Sequence, residues 1–359
     1  MSTEVPARLP EASRKALVEI VDRGRRAARW LAEDHGYQHV YLSGAPVAGL
    51  GSPRSDIDIF VVVAPGDSLR TEQLEFEGDR VDVERIDFVR LREWVDSYAA
   101  FEATSQDPGQ LEISSRSRID TLARFLLGEV VIDADGSLTA LQSQFRDRRD
   151  VFARVLTARH CVDVQNLSED VVGALQNQDL PGADYQSREM LYRAAEAFLC
   201  DEDDLYIKTK WLWLKWDRTV GDRFGPVMQH LLTGLDPAGD PTQAVERNIR
   251  LAQDLTIMAA TGYRYEPLTT AGPDTWRRNP ELALIPLADG FFATRSAAEA
   301  VQLSREGALL WGVSHARTKQ DAVEETQRLL GAEGRTVPLD EIASYFDTLV
   351  ALDLMTGGS

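Results

Sequence analysis

Apolar residues recur at helical spacing from Glu11 to Asp34, where Ala16, Leu17, Ile20, Val21, Ala27, Ala28 and Leu31 predict a helix. His39 to Ser43 reads as a short strand. A Gly- and Pro-rich turn follows from Gly44 to Ser55 and leads into a strand, Ile57 to Val63, apolar apart from Asp58. "PGDS" ends it, and "RVDVERI", Arg80 to Ile86, alternates polar and apolar as a half-buried strand does. This order opens a small mixed domain over residues 1–137. Its last part, Asp87 to Ala134, turns helical and closes on a short extended piece before the "DADG" turn.

From Leu138 to about Ala260 the pattern is almost entirely helical, which predicts a helical domain over 138–270. "SREMLYRAAEAFL" carries apolar residues at i, i+3, i+4 and i+7. "DLYIKTKWLWLKWDR" gathers three of the seven tryptophans and predicts a core helix. "YEPLTTAGPDTWRRNP" reads as a linker. The pattern then resets: "ELALIPLADGFFATRS" is two extended runs about Asp289-Gly290, a hairpin signal. Three helices follow in "REGALLWGVS", "DAVEETQRLLG" and "LDEIASYFDTLVALDLM". Residues 276–359 thus have the size and order of a small winged-helix domain. The predicted class is α+β: a mixed sheet with flanking helices, then a helical domain, then this winged-helix-like segment.

Composition narrows the setting. The chain has 359 residues, 43% hydrophobic and 27% charged, an ordinary globular profile. No apolar run has the length of a membrane span, and the N-terminus lacks the apolar core of a signal peptide. Cys161 and Cys200 are the only cysteines and lie in neither a metal-type nor a redox-type spacing. The expectation is a cytoplasmic protein without disulfides or membrane contact. A net charge of −19 argues against nucleic acid as the partner, because backbone binding relies on clustered Lys and Arg.

The chemistry concentrates in "SGAPVAGLGSPRSDIDIFVVV", Ser43 to Val63. Asp56 and Asp58 are two apart and point the same way at the head of an apolar strand, with Ile57 and Ile59 facing the core. Adjacent carboxylates in a low-dielectric setting repel, and a divalent cation between them relieves that cost in a hard oxygen site suited to Mg²⁺. Asp82 supplies a third carboxylate from the "RVDVERI" strand, with Glu84 on the same face as its rival. Three carboxylates holding two Mg²⁺ can bind a nucleoside triphosphate and activate an attacking hydroxyl. Gly44, Gly49 and Gly51 let the backbone approach a ligand and turn N–H groups toward phosphate oxygens.

This constellation resembles the DNA polymerase beta-like nucleotidyltransferase superfamily, over roughly the first 135 residues. Asp56 lies twelve positions after Gly44, the common family spacing; Gly49 falls on the second glycine, Pro53 on a frequent proline, and Ser55-Asp56-Ile57-Asp58 on the metal motif. The resemblance implies Asp56, Asp58 and Asp82 as catalytic metal ligands, with Gly44, Ala45, Gly49 and Ser55 at the donor. It implies transfer of a nucleoside monophosphate, AMP from ATP foremost, to a hydroxyl of a small molecule or a peptide, with pyrophosphate released. One position departs: the serine that follows the first family glycine is Ala45 here, which leaves open a catalytically weak or inactive homologue acting as a binding module. In several members a helical domain closes the cleft and brings a Lys or Arg to the phosphates. Lys208, Lys210 and Lys215 are the candidates, and Lys210-Trp211 resembles a segment of antibiotic-modifying nucleotidyltransferases, the second acceptor class. The base for the acceptor hydroxyl is Asp82 or an acid of the helical domain; Glu189 and Glu196 are the helical candidates, weighed against an exposed surface role, and His160 is read as structural rather than catalytic.

Residues 276–359 resemble the small winged-helix domains of the PQQ-biosynthesis D-protein type, on the hairpin, the "GALLWG" helix, the "RT" before the next helix and the last helix. That resemblance implies recognition of a peptide added as a strand near Ala298 to Leu303, beside Leu339 to Leu352.

Overall fold

The structure, a computed structural model, describes residues 9–66, 71–99, 103–105, 116–225, 231, 240–267, 272, 274–296 and 299–357. The chain divides into two compact units. The first comprises Met1–Phe101, Glu112–Ala153 and Asp204–Gly221; the second comprises Glu102–Leu111, Arg154–Asp203 and Asp222–Ser359. The Asp204–Gly221 segment, which the apolar pattern groups with the helical region, thus belongs with the N-terminal sheet.

The first unit is built on a five-stranded mixed sheet. Its elements are α1 (Glu11–His35), β1 (His39–Ser43), β2 (Ile57–Val63), β3 (Thr71–Phe76), β4 (Asp79–Asp87), α2 (Phe88–Ala99), α3 (Arg116–Leu127), β5 (Glu129–Asp133) and α4 (Ser137–Arg146). Strand order is β3-β4-β2-β1-β5, with β2 and β4 parallel and the other pairs antiparallel. Ile57, Ile59 and Val61 of β2 join Val40, Leu42, Val81 and Val83 in a core closed by Ile20, Ala27, Ala28 and Leu31 of α1. The opposite face carries Asp58 and Phe60. There Tyr41 stacks on Phe60 with centroids 4.7 Å apart and meets Phe125 of α3 edge-on at 5.3 Å. Strand β3 is not among the predicted elements. "TEQLEF" is polar enough to read as loop, yet its alternation puts Leu74 and Phe76 against the core while the backbone pairs with β4 along the sheet edge.

The "DLYIKTKWLWLKWDR" segment differs from the single helix predicted. Leu205 to Lys208 is irregular, Thr209–Trp211 forms a 3₁₀ turn, and α7 runs only over Leu212–Thr219. Trp216 is fully buried, as a core helix requires, whereas Trp211 and Trp213 are half-buried.

The long helix α5 (Arg149–Gln176) begins within the first unit's Glu112–Ala153 segment. The second unit contains most of it, with α6 (Leu180–Asp201) and α8 (Pro241–Thr261), which packs on α6. Asp179 and Asp240 cap α6 and α8, accepting from the Gly182 and Thr242 N–H groups. A three-stranded antiparallel meander of β7 (Ala283–Leu287), β8 (Gly290–Ser296) and β9 (Glu299–Leu303) follows a short strand, β6 (Trp276–Arg278). The predicted hairpin is present, with Leu287 opposite Gly290 across the two-residue turn Ala288-Asp289. Helices α9 (Arg305–Val313), α10 (Lys319–Ala332) and α11 (Leu339–Ala351) match the three predicted, and β10 (Met355–Gly357) returns to pair with β6. Ala298, at the start of the expected peptide-binding edge, lies outside the described residues.

The second unit also contains a buried polar cluster. Arg278 bonds Asp254 at 2.7 Å, the Gln253 side chain at 3.2 Å and the carbonyls of Gly312 at 2.5 Å and Arg250 at 3.2 Å, while Tyr265 donates to Asp254 at 3.1 Å.

Candidate functional site

Parallel pairing of β2 with β4 sets Asp82 directly beside Asp58 in register, and antiparallel pairing sets Ser43 on the other side of Asp58. Neighbouring strands lie about 4.8 Å apart, so the two carboxylates leave adjacent backbones on one face. Tyr41, Phe60 and Glu84 form the next row of that face. Asp56 sits one residue before β2 and is half exposed, with Arg80 Nη2 2.8 Å from it and 3.4 Å from Asp82.

Burial raises the Asp58 carboxyl above the ordinary carboxylate range; Arg124 opposes that rise, and Asp82 and Asp56 add to it. Burial likewise raises Glu84, opposed by Arg124 and reinforced by Asp58 and Asp120. Asp82 Oδ1 is buried without a hydrogen-bond partner among the described residues. An orphaned carboxylate oxygen next to a second carboxylate is unfavourable by itself and is what a bound cation would satisfy. Asp56, Asp58 and Asp82 offer an all-oxygen donor set of the kind Mg²⁺ takes, but their carboxylates do not gather within 4.8 Å of one another; among the described residues His39, Asp133 and Asp135 alone do. Glu84 stands one row further along, beside Phe60 rather than beside Asp58.

The turn that precedes the aspartates is shaped by its glycines. Gly44 has φ +95°, and a Cβ there would overlap the Asp58 carboxylate. Gly51 has φ +117°, and a Cβ there would lie 2.8 Å from Ser55 Oγ. The Ser55 hydroxyl accepts from the Ser52 N–H at 2.9 Å and so closes the end of the turn. Within the turn, the N–H groups of Ala48, Gly49 and Leu50 donate to the carbonyls of Gly44 (3.2 Å), Pro46 (3.1 Å) and Ala45 (2.8 Å). These three donors are used inside the turn, unlike the phosphate-directed N–H groups expected at Gly49. Ala45 is 7% exposed and packs with Ala48, Leu50 and Tyr206 against Leu127, Trp211 and Leu214. The position where the resemblance predicts a hydroxyl is an apolar anchor.

The cations near the carboxylates differ from those singled out in the sequence. Arg124, on α3, lies 3.2 Å from Asp58 Oδ2 through Nη1, bonds Asp120 Oδ2 at 3.1 Å through Nε, and sits 5.8 Å over the Phe60 ring. Desolvation lowers its pKa, and Asp58, Asp120, Tyr206 and Glu84 outweigh that effect, so it stays charged. Lys208 reaches Asp120 Oδ1 at 2.9 Å, which links it through Asp120 to Arg124. Lys210 is exposed and sits 5.5 Å over the Trp211 ring. Lys215 is fully buried, with Nζ donating to the Tyr206 carbonyl at 2.6 Å. Arg124 and Asp120 carry a readable helical signal, a pair four residues apart, but nothing in the sequence places that helix over Asp58.

In the second unit, Glu196 is fully buried, contrary to the exposed acid expected. Glu189 is partly exposed 4.0 Å from Arg193, and His160 is 7% exposed. Cys161 and Cys200 are buried free thiols.

No protein-family profile matches the sequence, and no curated protein is detectably similar to it. Among solved structures the chain is similar to a nucleotidyltransferase-like protein from Exiguobacterium sibiricum 255-15. That likeness has a TM-score of 0.40 and 12% sequence identity, covering 66% of this chain and 76% of the other. A likeness at that level carries no argument about activity or substrate, which rest on the site itself.

Proposed function

We propose that this chain is a Mg²⁺-dependent nucleotidyltransferase that moves a nucleoside monophosphate, AMP from ATP foremost, onto a hydroxyl of a small molecule or peptide. The observation that carries the reading is the Asp58–Asp82 pair, in register on parallel strands under the Gly44 turn, with Asp82 Oδ1 left without a partner among the described residues. Asp56, Asp58 and Asp82 would hold Mg²⁺, two ions in the full site, which neutralises triphosphate charge and activates the acceptor hydroxyl. In the transfer, the acceptor oxygen bonds to the α-phosphorus, the bridging P–O bond to the β-phosphate breaks, and pyrophosphate leaves. Arg124 and Lys208 supply positive charge on the same face, held in place by Asp120. Asp82, in register beside Asp58, would take the acceptor proton.

The test is transfer of labelled nucleotide from ATP to peptide and small-hydroxyl acceptors with Mg²⁺, together with pyrophosphate release. Both are expected in the wild type and lost in Asp56→Ala and Asp58→Ala. Absence of turnover together with absence of ATP binding in Mg²⁺ overturns the reading.

A second reading, a binding module without catalysis, draws on the apolar burial of Ala45 and on the turn N–H groups spent within the turn. For its peptide partner, β9 is the outer strand of the β7-β8-β9 sheet, paired only with β8 among the described residues, which leaves an edge for strand addition. No helix among the described residues is long and apolar enough to cross a membrane.

A further inference from the structure

Arg218 and Asp204 form a pair that the carboxylate motif does not account for. Arg218 Nε and Nη2 donate to Asp204 Oδ2 and Oδ1, each at 2.7 Å, in a two-pronged bond; the side chains are 8% and 3% exposed. The Thr219 hydroxyl donates to Asp204 Oδ2 at 3.0 Å, and the Tyr206 N–H approaches Asp204 Oδ1 at 3.5 Å. The carboxylate therefore fixes the guanidinium plane from several sides. The third guanidinium nitrogen, Nη1, donates to the carbonyl of Ala48, in the middle of the Gly44–Gly51 turn. The pair spans fourteen residues of sequence and reaches 170 residues back along the chain, so its geometry belongs to the folded unit alone.

Holding a backbone carbonyl with a buried, carboxylate-locked Arg is a costly arrangement for structure alone. Two buried charges are desolvated, and an apolar pair would fill the space at lower cost. What the fork supplies is direction, because a planar guanidinium fixed through Nε and Nη2 by a bidentate partner has its Nη1 N–H groups held in a set orientation. That N–H holds the turn whose Gly44 end lies against Asp58. Ala45 and Ala48 pin the same turn through apolar contact with Tyr206.

We propose that Arg218, locked by Asp204, is a positioning residue for the nucleotide donor: it sets the Gly44–Gly51 turn against the carboxylates. The proposal rests on the nucleotidyltransferase reading. Arg218 touches neither donor nor metal and acts only through the turn, so donor affinity should respond to it while cation affinity does not.

The experiment titrates the full-length protein by calorimetry with a non-hydrolysable ATP analogue in Mg²⁺, and separately with Mn²⁺ alone, for wild type, Arg218→Gln and Arg218→Lys. Arg218→Gln is expected to weaken the analogue by about tenfold, equivalent to about 1.4 kcal/mol. Mn²⁺ affinity without nucleotide should stay within about twofold, on the same scale. Arg218→Lys, which keeps charge but not the fork, should fall between the two. A folded Arg218→Gln in which both titrations weaken together overturns the assignment, as does one in which analogue affinity is unchanged. Should circular dichroism show Arg218→Gln unfolded, Arg218→Lys decides alone: weakened analogue with unchanged Mn²⁺ supports the assignment, and unchanged analogue overturns it. A wild type that binds no analogue overturns the transferase reading itself, whereas wild-type binding with indifferent variants removes only Arg218 from the account.

Discussion

Two residues of the glycine-rich turn carry opposite lessons. Gly44 has no room for a side chain, because its φ is positive and a Cβ would overlap the Asp58 carboxylate. Gly44→Ala is expected to cost about 1–3 kcal/mol of stability, measured by urea unfolding, and to displace Asp58 so that divalent-cation affinity falls with it. Ala45 is the reverse case. A serine there buries a hydroxyl in an apolar cluster, so Ala45→Ser is expected to cost about 1–3 kcal/mol and to leave ATP affinity unimproved. Tighter ATP binding in Ala45→Ser would show instead that the position faces the donor. At this scale the aspartate motif was legible because a strand's alternation is local: two positions apart means one face. Arg124, Asp120 and Asp204 were not, since their meaning lies in which strand or turn they reach, and that depends on packing between elements distant in sequence.

Elements with strong periodicity were legible, and those stabilised by neighbours were not. Helix α1, strand β2, the β7–β8 hairpin and the last three helices follow from apolar spacing and turn residues. Strand β3 was missed because an edge strand needs only alternate apolar contacts and backbone pairing, so "TEQLEF" reads as polar loop. The shortened α7 has a similar cause: tertiary bonds at Asp204 and Tyr206 override the helical pattern of the residues before Thr209. The junction of β6 with the α9 end gives a pH prediction. Burial lowers the His315 pKa from 6.5 to about 2, assisted by Arg278, Arg250, Arg277 and Arg317, while its Nδ1 faces the Arg278 N–H at 3.4 Å. The folded value lies below the unfolded one, so the unfolded chain binds the extra proton. Stability from this group is complete above pH 6.5 and declines as pH falls below it, by up to about 1.4 kcal/mol per pH unit. Unfolding midpoints of the wild type should fall between pH 6 and 4 more steeply than those of His315→Gln; equal slopes would refute the assignment. In the same cluster, Arg278→Leu leaves Asp254 buried without its ion partner and should cost about 3–5 kcal/mol in the same unfolding measurement.

At the scale of the molecule, a net charge of −19 sets the background against which the site's cations act. Arg124, Lys208 and Arg80 are all engaged with carboxylates, so a phosphate ligand must compete for them, and a cation bound by Asp56, Asp58 and Asp82 would ease that competition. The α+β class and the mixed sheet were legible from the order of elements. The assignment of Asp204–Gly221 to the first unit was not, because its apolar residues read equally well as part of the helical run. Whether the aspartates hold a divalent cation decides the chemistry of this site. The direct measurement is Mn²⁺ binding, followed by electron paramagnetic resonance with a non-hydrolysable ATP analogue present, in wild type, Asp58→Asn and Asp82→Asn. Saturable binding in the wild type, weakened at least about tenfold in both variants whose circular dichroism is unchanged, is the predicted result. Equal Mn²⁺ binding in all three proteins, or none in the wild type, would contradict it.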